Sequence, residues 1–192
     1  MQDFRQQLLD LIIAQAIHFG TFTLTSGLVS HFYIDCRKVT LSARGAFLTG
    51  NTMLDLLDGL DLQAVGGMTV AADPVATAIA VESWHRERPL NAFIVRKEAK
   101  AHGLHRQVEG PLQVSDRVAI VDDTLTTGGS IFQAIEAVEA TGATVAAVAV
   151  ILDRLQGGAD RIRQRGYPVY SVLTYDDIRE FVEAHKPPER GV

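Results

Sequence analysis

The chain has 192 residues, of which 47% are hydrophobic and 21% are charged, and its formal net charge is −5. This length and composition predict one globular domain with a hydrophobic core. The negative charge argues against a protein that binds nucleic acid by neutralising its phosphates. No apolar run approaches the roughly 18 residues of a membrane span, so no membrane partner is expected. With one cysteine, Cys36, an intramolecular disulfide is excluded. We expect that thiol to be buried in a cytoplasmic protein.

In chain order, the apolar spacing predicts a helix over 4–17, short strands over 21–24 and 31–36, and a helix over 43–57. Strands and helices then alternate. Strands are expected at 63–68, 91–95, 117–121, 144–152 and 168–173, and helices at 74–84, 130–141, 159–165 and 176–184. Asp73 is expected to cap the helix 74–84, with Pro74 in its first turn. The alternation predicts an α/β fold with a mostly parallel central sheet flanked by helices on both faces. The first 40 residues break the pattern and are expected to form a small lobe on a core of about 41–185.

Residues 96–116 form a polar connection between two apolar strands, and it is longer than usual for a compact domain. Connections of this length are commonly functional. A solvated charged loop is the alternative interpretation. The segment carries Arg96, Lys97, Lys100, His102, His105 and Arg106.

The segment after the apolar strand 117–121 has the composition of a ribose-phosphate site. Two acids, Asp122 and Asp123, could accept hydrogen bonds from ribose hydroxyls. A glycine-containing turn that enters a helix offers backbone N–H groups to an anion. The turn lacks the lysine of a P-loop, and the glycine triplet of a dinucleotide site is also missing. A capped helix with a polar lead-in would account for only part of it. The turn consists of Thr124, Leu125, Thr126, Thr127, Gly128, Gly129 and Ser130.

Residues 118–130 resemble the phosphoribosyl-diphosphate (PRPP) motif of type I phosphoribosyltransferases. Residues 93–103, with the order R-K-x-x-K-x-H-G, resemble the catalytic lid loop of orotate phosphoribosyltransferases; residues 96–103 are called the lid loop below. The pair Asp153 and Arg154 is similar to that family's Asp-Arg pair. Residues 23–27 and 32–35 resemble its N-terminal hood, a name used here for residues 1–40.

The resemblance implies the type I phosphoribosyltransferase fold and a pentosyltransferase that joins orotate to the ribose 5-phosphate of PRPP in pyrimidine (UMP) biosynthesis. It implies Mg²⁺ held mainly through PRPP rather than by protein ligands. It also implies a homodimer in which the lid loop closes over the neighbouring subunit's site. The implied catalytic residues are Lys100, His102, Asp122 and Asp123. PRPP would be bound by Arg96, Lys97, Lys100, His102 and residues 122–130, and orotate by Thr126, Arg154, Phe32 and Tyr33.

Two departures and two alternatives accompany this interpretation. Many family members carry a lysine where this chain has Thr25, and another where it has Ala71 or Ala72. The chain therefore lacks two positive charges expected near the diphosphate. The first alternative function is a phosphoribosyltransferase for a purine base. The second is a regulator that senses PRPP without catalysis, for which the net charge of −5 offers little basic surface.

Overall fold

The computed structural model describes residues 3–23, 29–98 and 107–186. The amino-terminal part contains α1 (Phe4–Gln15), β1 (Ile17–Thr23), β2 (Val29–Ile34), α2 (Arg37–Thr40) and α3 (Ala43–Leu56). The next part contains β3 (Ala64–Met68), α4 (Ala72–His85), β4 (Asn91–Val95) and β5 (Val108–Glu109). The last part contains β6 (Arg117–Leu125), α5 (Gly129–Glu139), β7 (Thr144–Asp153), α6 (Gly158–Gln164), β8 (Val169–Thr174) and α7 (Tyr175–His185). No helix in these ranges is long and apolar enough to cross a membrane.

Six strands form the central sheet in the order β5-β4-β3-β6-β7-β8. All neighbouring pairs are parallel except β4 with β5. The strands β1 and β2 form a separate antiparallel pair in the hood. This arrangement confirms the predicted α/β class and the mostly parallel sheet.

Helices cover both faces of the sheet, and a hydrophobic core lies under each layer. One core joins residues of α1, α3, α4 and α7 to one face, with Ile12, Ile79 and Ile178 fully buried. The other packs α5 and α6 against the opposite face, around Ile135 and Ile162. Because both faces are covered, the central strands are apolar on both sides, which is why they are continuous Val, Ala and Ile runs in the sequence.

The strand order places a switch point between β3 and β6. The chain leaves β3 for β4 on one side of the sheet and leaves β6 for β7 on the other. At such a point the two connections diverge and open a crevice at the carboxyl ends of the strands. The segments that follow β3 and end β6 therefore meet at one place.

Several local predictions were wrong, each because pairing or packing overrides the local pattern. The strand predicted to end at residue 121 continues to Leu125, since residues 122–125 pair with β7. The helix expected from 74 begins at Ala72, so Asp73 is not its cap; the Asp73 carboxylate accepts a hydrogen bond from Thr69 Oγ1 at 2.6 Å. The first helix ends at Gln15, two residues early. The connection 96–116 contains β5, and the short helix α2 was not predicted.

Candidate active site

A cavity of about 1000 Å³ opens at the switch point. Its walls come from the segment after β3, the end of β4, the end of β6 and the start of α5. The residues that line it include Thr69, Val70, Ala71, Arg96, Lys97, Glu98, Asp122, Asp123, Thr124, Thr126, Thr127, Gly128, Gly129, Ser130 and Arg37. The structure thus brings together the predicted acidic pair, most of the predicted phosphate turn and the first two residues of the lid loop.

Two buried carboxylates form the floor of the cavity. Asp122 is 4% exposed and Asp123 is 7% exposed. Asp122 accepts hydrogen bonds from the Ser130 hydroxyl at 3.0 Å and from the Asp123 backbone N–H at 2.9 Å. Asp123 accepts one from the Thr124 hydroxyl at 3.0 Å. These bonds fix both carboxylates where they face the cavity.

Burial raises the pKa of Asp122 to about 7, and the neighbouring charge of Asp123 adds to the shift. Burial also raises the pKa of Asp123, although the hydroxyl of Thr124 partly offsets the effect. Two carboxylates with raised pKa values in one cleft are typical of a functional site, because a purely structural pair would normally be compensated by cations. The arrangement suits a cationic or hydroxyl-rich ligand group that would complete their hydrogen bonding.

The turn between β6 and α5 forms the anion-binding end of the cavity. Gly128 immediately precedes α5 with φ of 81°, a left-handed conformation that glycine adopts without steric cost. The first N–H groups of a helix have no partner within it, and they carry the positive end of the helix dipole. The wall is held from behind: the Thr127 carbonyl accepts from Arg161 at 2.6 Å, and the Thr126 carbonyl from the Gly158 N–H at 3.1 Å.

Leu125 differs from its neighbours in the predicted turn. Its side chain is fully buried in the core, so only its backbone could take part in binding. The Leu125 carbonyl accepts the backbone N–H of Arg154 at 2.9 Å. This bond connects the end of β6 to the residue expected to bind orotate.

Three cations border the cavity among the described residues. Arg96 at the end of β4 pairs with Glu109 on β5 at 3.2 Å, and Lys97 follows it. Arg37, the first residue of α2, donates from Nε to Asp35 at 2.8 Å. The sequence interpretation did not include Arg37. The one available signal was that this basic residue directly follows the predicted hood strand 31–36.

Arg154 directly follows β7 and has an aromatic neighbour. Its guanidinium carbon is 5.2 Å from the centre of the Phe32 ring, and Phe32 stacks on Tyr175 at 6.1 Å. The buried Arg154 Nε has no hydrogen-bond partner in the described ranges. Burial lowers the pKa of this guanidinium, while Tyr175 and Tyr33 act in the opposite direction. Within the described residues this guanidinium therefore keeps a donor that no protein group uses.

The two predicted aromatic residues of the hood have different surroundings. Neighbouring residues of a strand point to opposite faces. Phe32 contacts the guanidinium of Arg154, whereas the ring of Tyr33 packs against Phe22 at 5.8 Å. Lys100, His102 and Thr25 lie outside the described residues. Ala71 borders the cavity, while Ala72 is buried.

No protein-family model matches the chain. A relative from Streptomyces avermitilis, orotate phosphoribosyltransferase, is 50% identical over 176 residues, which is 92% of this chain and 96% of the relative. A crystal structure of Mycobacterium tuberculosis orotate phosphoribosyltransferase with Fe(III) dicitrate shares 41% identity at a TM-score of 0.82, over 91% of this chain and 98% of that one. The same enzyme in complex with PRPP superposes with a TM-score of 0.78 and 37% identity, over 92% and 99% of the chains. These similarities extend over nearly the whole length of both partners, and the chain therefore belongs to the orotate phosphoribosyltransferase family.

Proposed function

We propose that this protein transfers the ribose 5-phosphate of PRPP to orotate, giving orotidine 5-phosphate and diphosphate, a step of UMP synthesis. The observation that carries the proposal is the cavity at the switch point, which combines an anion-binding turn, two buried carboxylates and three bordering cations. Such a combination matches PRPP, which presents a phosphate, a ribose and a diphosphate in that order. Membership of the orotate phosphoribosyltransferase family identifies orotate as the nucleobase substrate.

PRPP is proposed to bind with its 5-phosphate in the turn Thr126–Ser130 and its ribose hydroxyls on Asp122 and Asp123. The backbone N–H groups at the start of α5 and the hydroxyl groups of the turn donate to phosphate oxygens. The two carboxylates have acceptor capacity beyond the bonds already described, and ribose hydroxyls are donors of suitable chemistry. C1 of the ribose is proposed to face residues 69–71, which line the same cavity as the turn.

The reaction breaks the bond from C1 to the diphosphate oxygen, forms one from C1 to N1 of orotate, and breaks the N1–H bond. The N1 proton is proposed to pass to the departing diphosphate, with His102 as a relay. By analogy with glycosidic bond cleavage, positive charge develops on the ribose ring as the leaving group departs. The charge of Asp122 and Asp123 stabilises that state once both are ionised. Lys100 and His102 of the lid loop, with Arg96 and Lys97, are proposed to stabilise the charge that grows on the leaving diphosphate and to exclude water.

Orotate is proposed to lie beside the ribose, between the hood and the carboxyl end of β7. Arg154 would bind its carboxylate, for which a guanidinium offers two parallel N–H donors. The unpaired Nε of Arg154 and its contact with Phe32 support this role. Thr126 and Tyr33 complete the proposed set.

Mg²⁺ is included in the proposal as the metal that accompanies PRPP. Among residues 3–23, 29–98 and 107–186, no group of three or more His, Cys, Asp or Glu side chains is placed to hold a metal ion. Asp122 and Asp123 nevertheless offer carboxylate oxygens, the ligand type that Mg²⁺ prefers. This donor set fits a metal whose remaining ligands are substrate oxygens. When bound, the ion neutralises charge on the diphosphate.

The proposed working form is a cytoplasmic homodimer in which each lid loop closes over the neighbouring subunit's site. Each subunit is proposed to consist of the hood, at about 1–40, and a core at about 41–185. Two large apolar side chains one turn apart on α4 support an interface: Val81 is 55% exposed and Trp84 is 73% exposed. Exposed apolar groups of this kind commonly mark a protein contact. Cys36 is a buried free thiol, which suits a reducing compartment.

The proposal is tested by following orotate absorbance with PRPP and Mg²⁺ present. Consumption of orotate, with neither adenine nor hypoxanthine consumed in parallel assays, is the expected result. Turnover of a purine instead would establish the first alternative function. PRPP binding by a folded protein that consumes no base would establish the sensor.

A further inference from the structure

Arg37 stands at the border of the cavity, where the hood meets the core. It is the first residue of α2, three residues after β2 ends. Its side chain is 45% exposed, and Nε donates to Asp35 Oδ1 at 2.8 Å. The hydrogen bond from Arg37 lowers the pKa of the Asp35 carboxyl, so the two side chains stay ionised as a pair.

The guanidinium has donors that the described residues do not use. The Nε group is committed to Asp35, but neither Nη nitrogen of Arg37 has a hydrogen-bond partner within the described ranges. Arg96, the other guanidinium on the cavity wall, is already paired with Glu109 through one of its Nη nitrogens. Arg37 is therefore held by one edge and presents its two Nη groups for another acceptor, which is the geometry that suits a phosphate.

The position of Arg37 relative to the proposed ligand identifies the group it would meet. Its charge acts on Asp123, the proposed ribose contact, and favours the ionised carboxylate. The anion-binding turn is already assigned to the 5-phosphate of PRPP. Of the other two walls, the end of β4 carries Arg96, Lys97 and Glu98, whereas residues 69–71 carry no charged side chain. A diphosphate on C1 of the ribose would be the most strongly charged group in the cavity, and the wall of residues 69–71 by itself could not balance it.

We propose that Arg37 binds the diphosphate of PRPP through its Nη groups and supplies the positive charge that the segment Thr69–Ala71 lacks. The inference rests on the proposed function, since it takes PRPP as the ligand. It assigns to the hood a direct contact with the leaving group.

Titration calorimetry with inorganic diphosphate in excess Mg²⁺ tests the proposal without any need for turnover. Arg37→Ala is expected to weaken diphosphate binding about tenfold, the effect of losing a charge-assisted hydrogen bond at a partly exposed site. Lys38→Ala is the matched control, because Lys38 is an exposed cation on the same short helix that does not border the cavity. The melting temperature should be unchanged in both variants, and ribose 5-phosphate affinity should stay within about twofold of the parent protein.

A second variant asks whether positions 37 and 71 face the same group. Adding Ala71→Lys to Arg37→Ala is expected to recover most of the lost diphosphate affinity; no recovery would overturn the shared contact. Diphosphate affinity of Arg37→Ala within about twofold of the parent protein would overturn the role of Arg37. An equal loss for ribose 5-phosphate would do the same, because it would indicate a general charge effect.

The outcome is separable from that of the proposed function. If the parent protein consumes orotate while Arg37→Ala binds diphosphate normally, the proposed function stands and the role of Arg37 fails. If no base is consumed but Arg37→Ala alone weakens diphosphate binding, Arg37 keeps its role and the enzymatic function fails. A parent protein that shows no diphosphate binding overturns the inference directly.

Discussion

Replacing Arg154 with methionine should separate substrate binding from stability. Methionine keeps the unbranched stem but removes the guanidinium, whose buried Nε has no hydrogen-bond partner among the described residues. If Arg154 binds the orotate carboxylate with two charge-assisted hydrogen bonds, their loss costs about 3 kcal/mol, or roughly 150-fold in affinity. The KM for orotate should rise by a factor of this order. The KM for PRPP should change little, because the Arg154 side chain is not among the groups proposed to bind PRPP.

The same substitution should not destabilise the protein. A buried donor without a partner costs about 1–3 kcal/mol, which is comparable to or larger than the about 0.5–2 kcal/mol contributed by the contact of the guanidinium with Phe32, 5.2 Å from the ring centre. The free energy of unfolding of Arg154→Met should therefore equal or exceed that of the parent protein. Urea denaturation measures it.

Arg165→Met is the matched control for this pair of measurements. Arg165 also lies over a phenylalanine, with its guanidinium 4.3 Å from the centre of Phe132, but it pairs with the exposed Glu136 on α5. Arg154, by contrast, follows β7, and its backbone N–H donates to Leu125, which lies between two residues that line the cavity. Neither KM should change in this variant. The reasoning is refuted if Arg154→Met leaves the KM for orotate within about threefold of the parent value, or raises both KM values equally.

Three further predictions follow from the site and the sheet. The free energy of unfolding of Asp122→Asn, relative to that of the parent protein, should increase as pH rises from about 4 to about 7, by up to the order of 4 kcal/mol. The reason is that the native Asp122 carboxyl, with a pKa of about 7, stays protonated over this range, while the carboxyl in the unfolded chain ionises and thereby destabilises the folded parent. Denaturation of both proteins at several pH values would contradict this if the difference between them were constant. Gly67→Ala should lower stability by about 1–3 kcal/mol, since its Cβ would lie 2.1 Å from the Val121 carbonyl oxygen and 2.8 Å from Ala72 Cβ, whereas Gly129→Ala meets nothing within 4 Å and should leave the melting temperature unchanged. Removal of divalent cations with EDTA should abolish turnover and added Mg²⁺ should restore it; full activity in EDTA would exclude the proposed metal.

Patterns along the chain located most of the elements. The strand Asn91–Val95 was predicted with its observed bounds, and the helix α3 to within one residue, because apolar periodicity is a local property of buried faces. The alternation of strands and helices also sufficed for the α/β class. The ends of elements were predicted less accurately. Asp73 is a residue type that favours the N-cap position, yet α4 begins one residue before it, at Ala72.

The site could be predicted in part for the same reason. Asp122, Asp123 and the turn that follows are contiguous, so their chemistry is visible in nine successive residues. Arg37 comes from a distant part of the chain and was not predicted to border the cavity, and Ala71 was expected near the diphosphate only through the family resemblance. Apart from its place directly after the predicted strand 31–36, nothing local to position 37 distinguishes it from any other surface arginine.

The sequence by itself determined the phosphate turn, the α/β class and the resemblance of the lid loop, since each depends on residues that are neighbours along the chain. Only the tertiary structure decided that the acidic pair belongs to a strand, because pairing with β7 extends β6 through Leu125. It also decided that the carboxyl ends of β3 and β6 meet and that the hood contributes Arg37 to their cavity. The raised pKa of Asp122 is likewise a tertiary property, because burial causes it and burial depends on the whole fold.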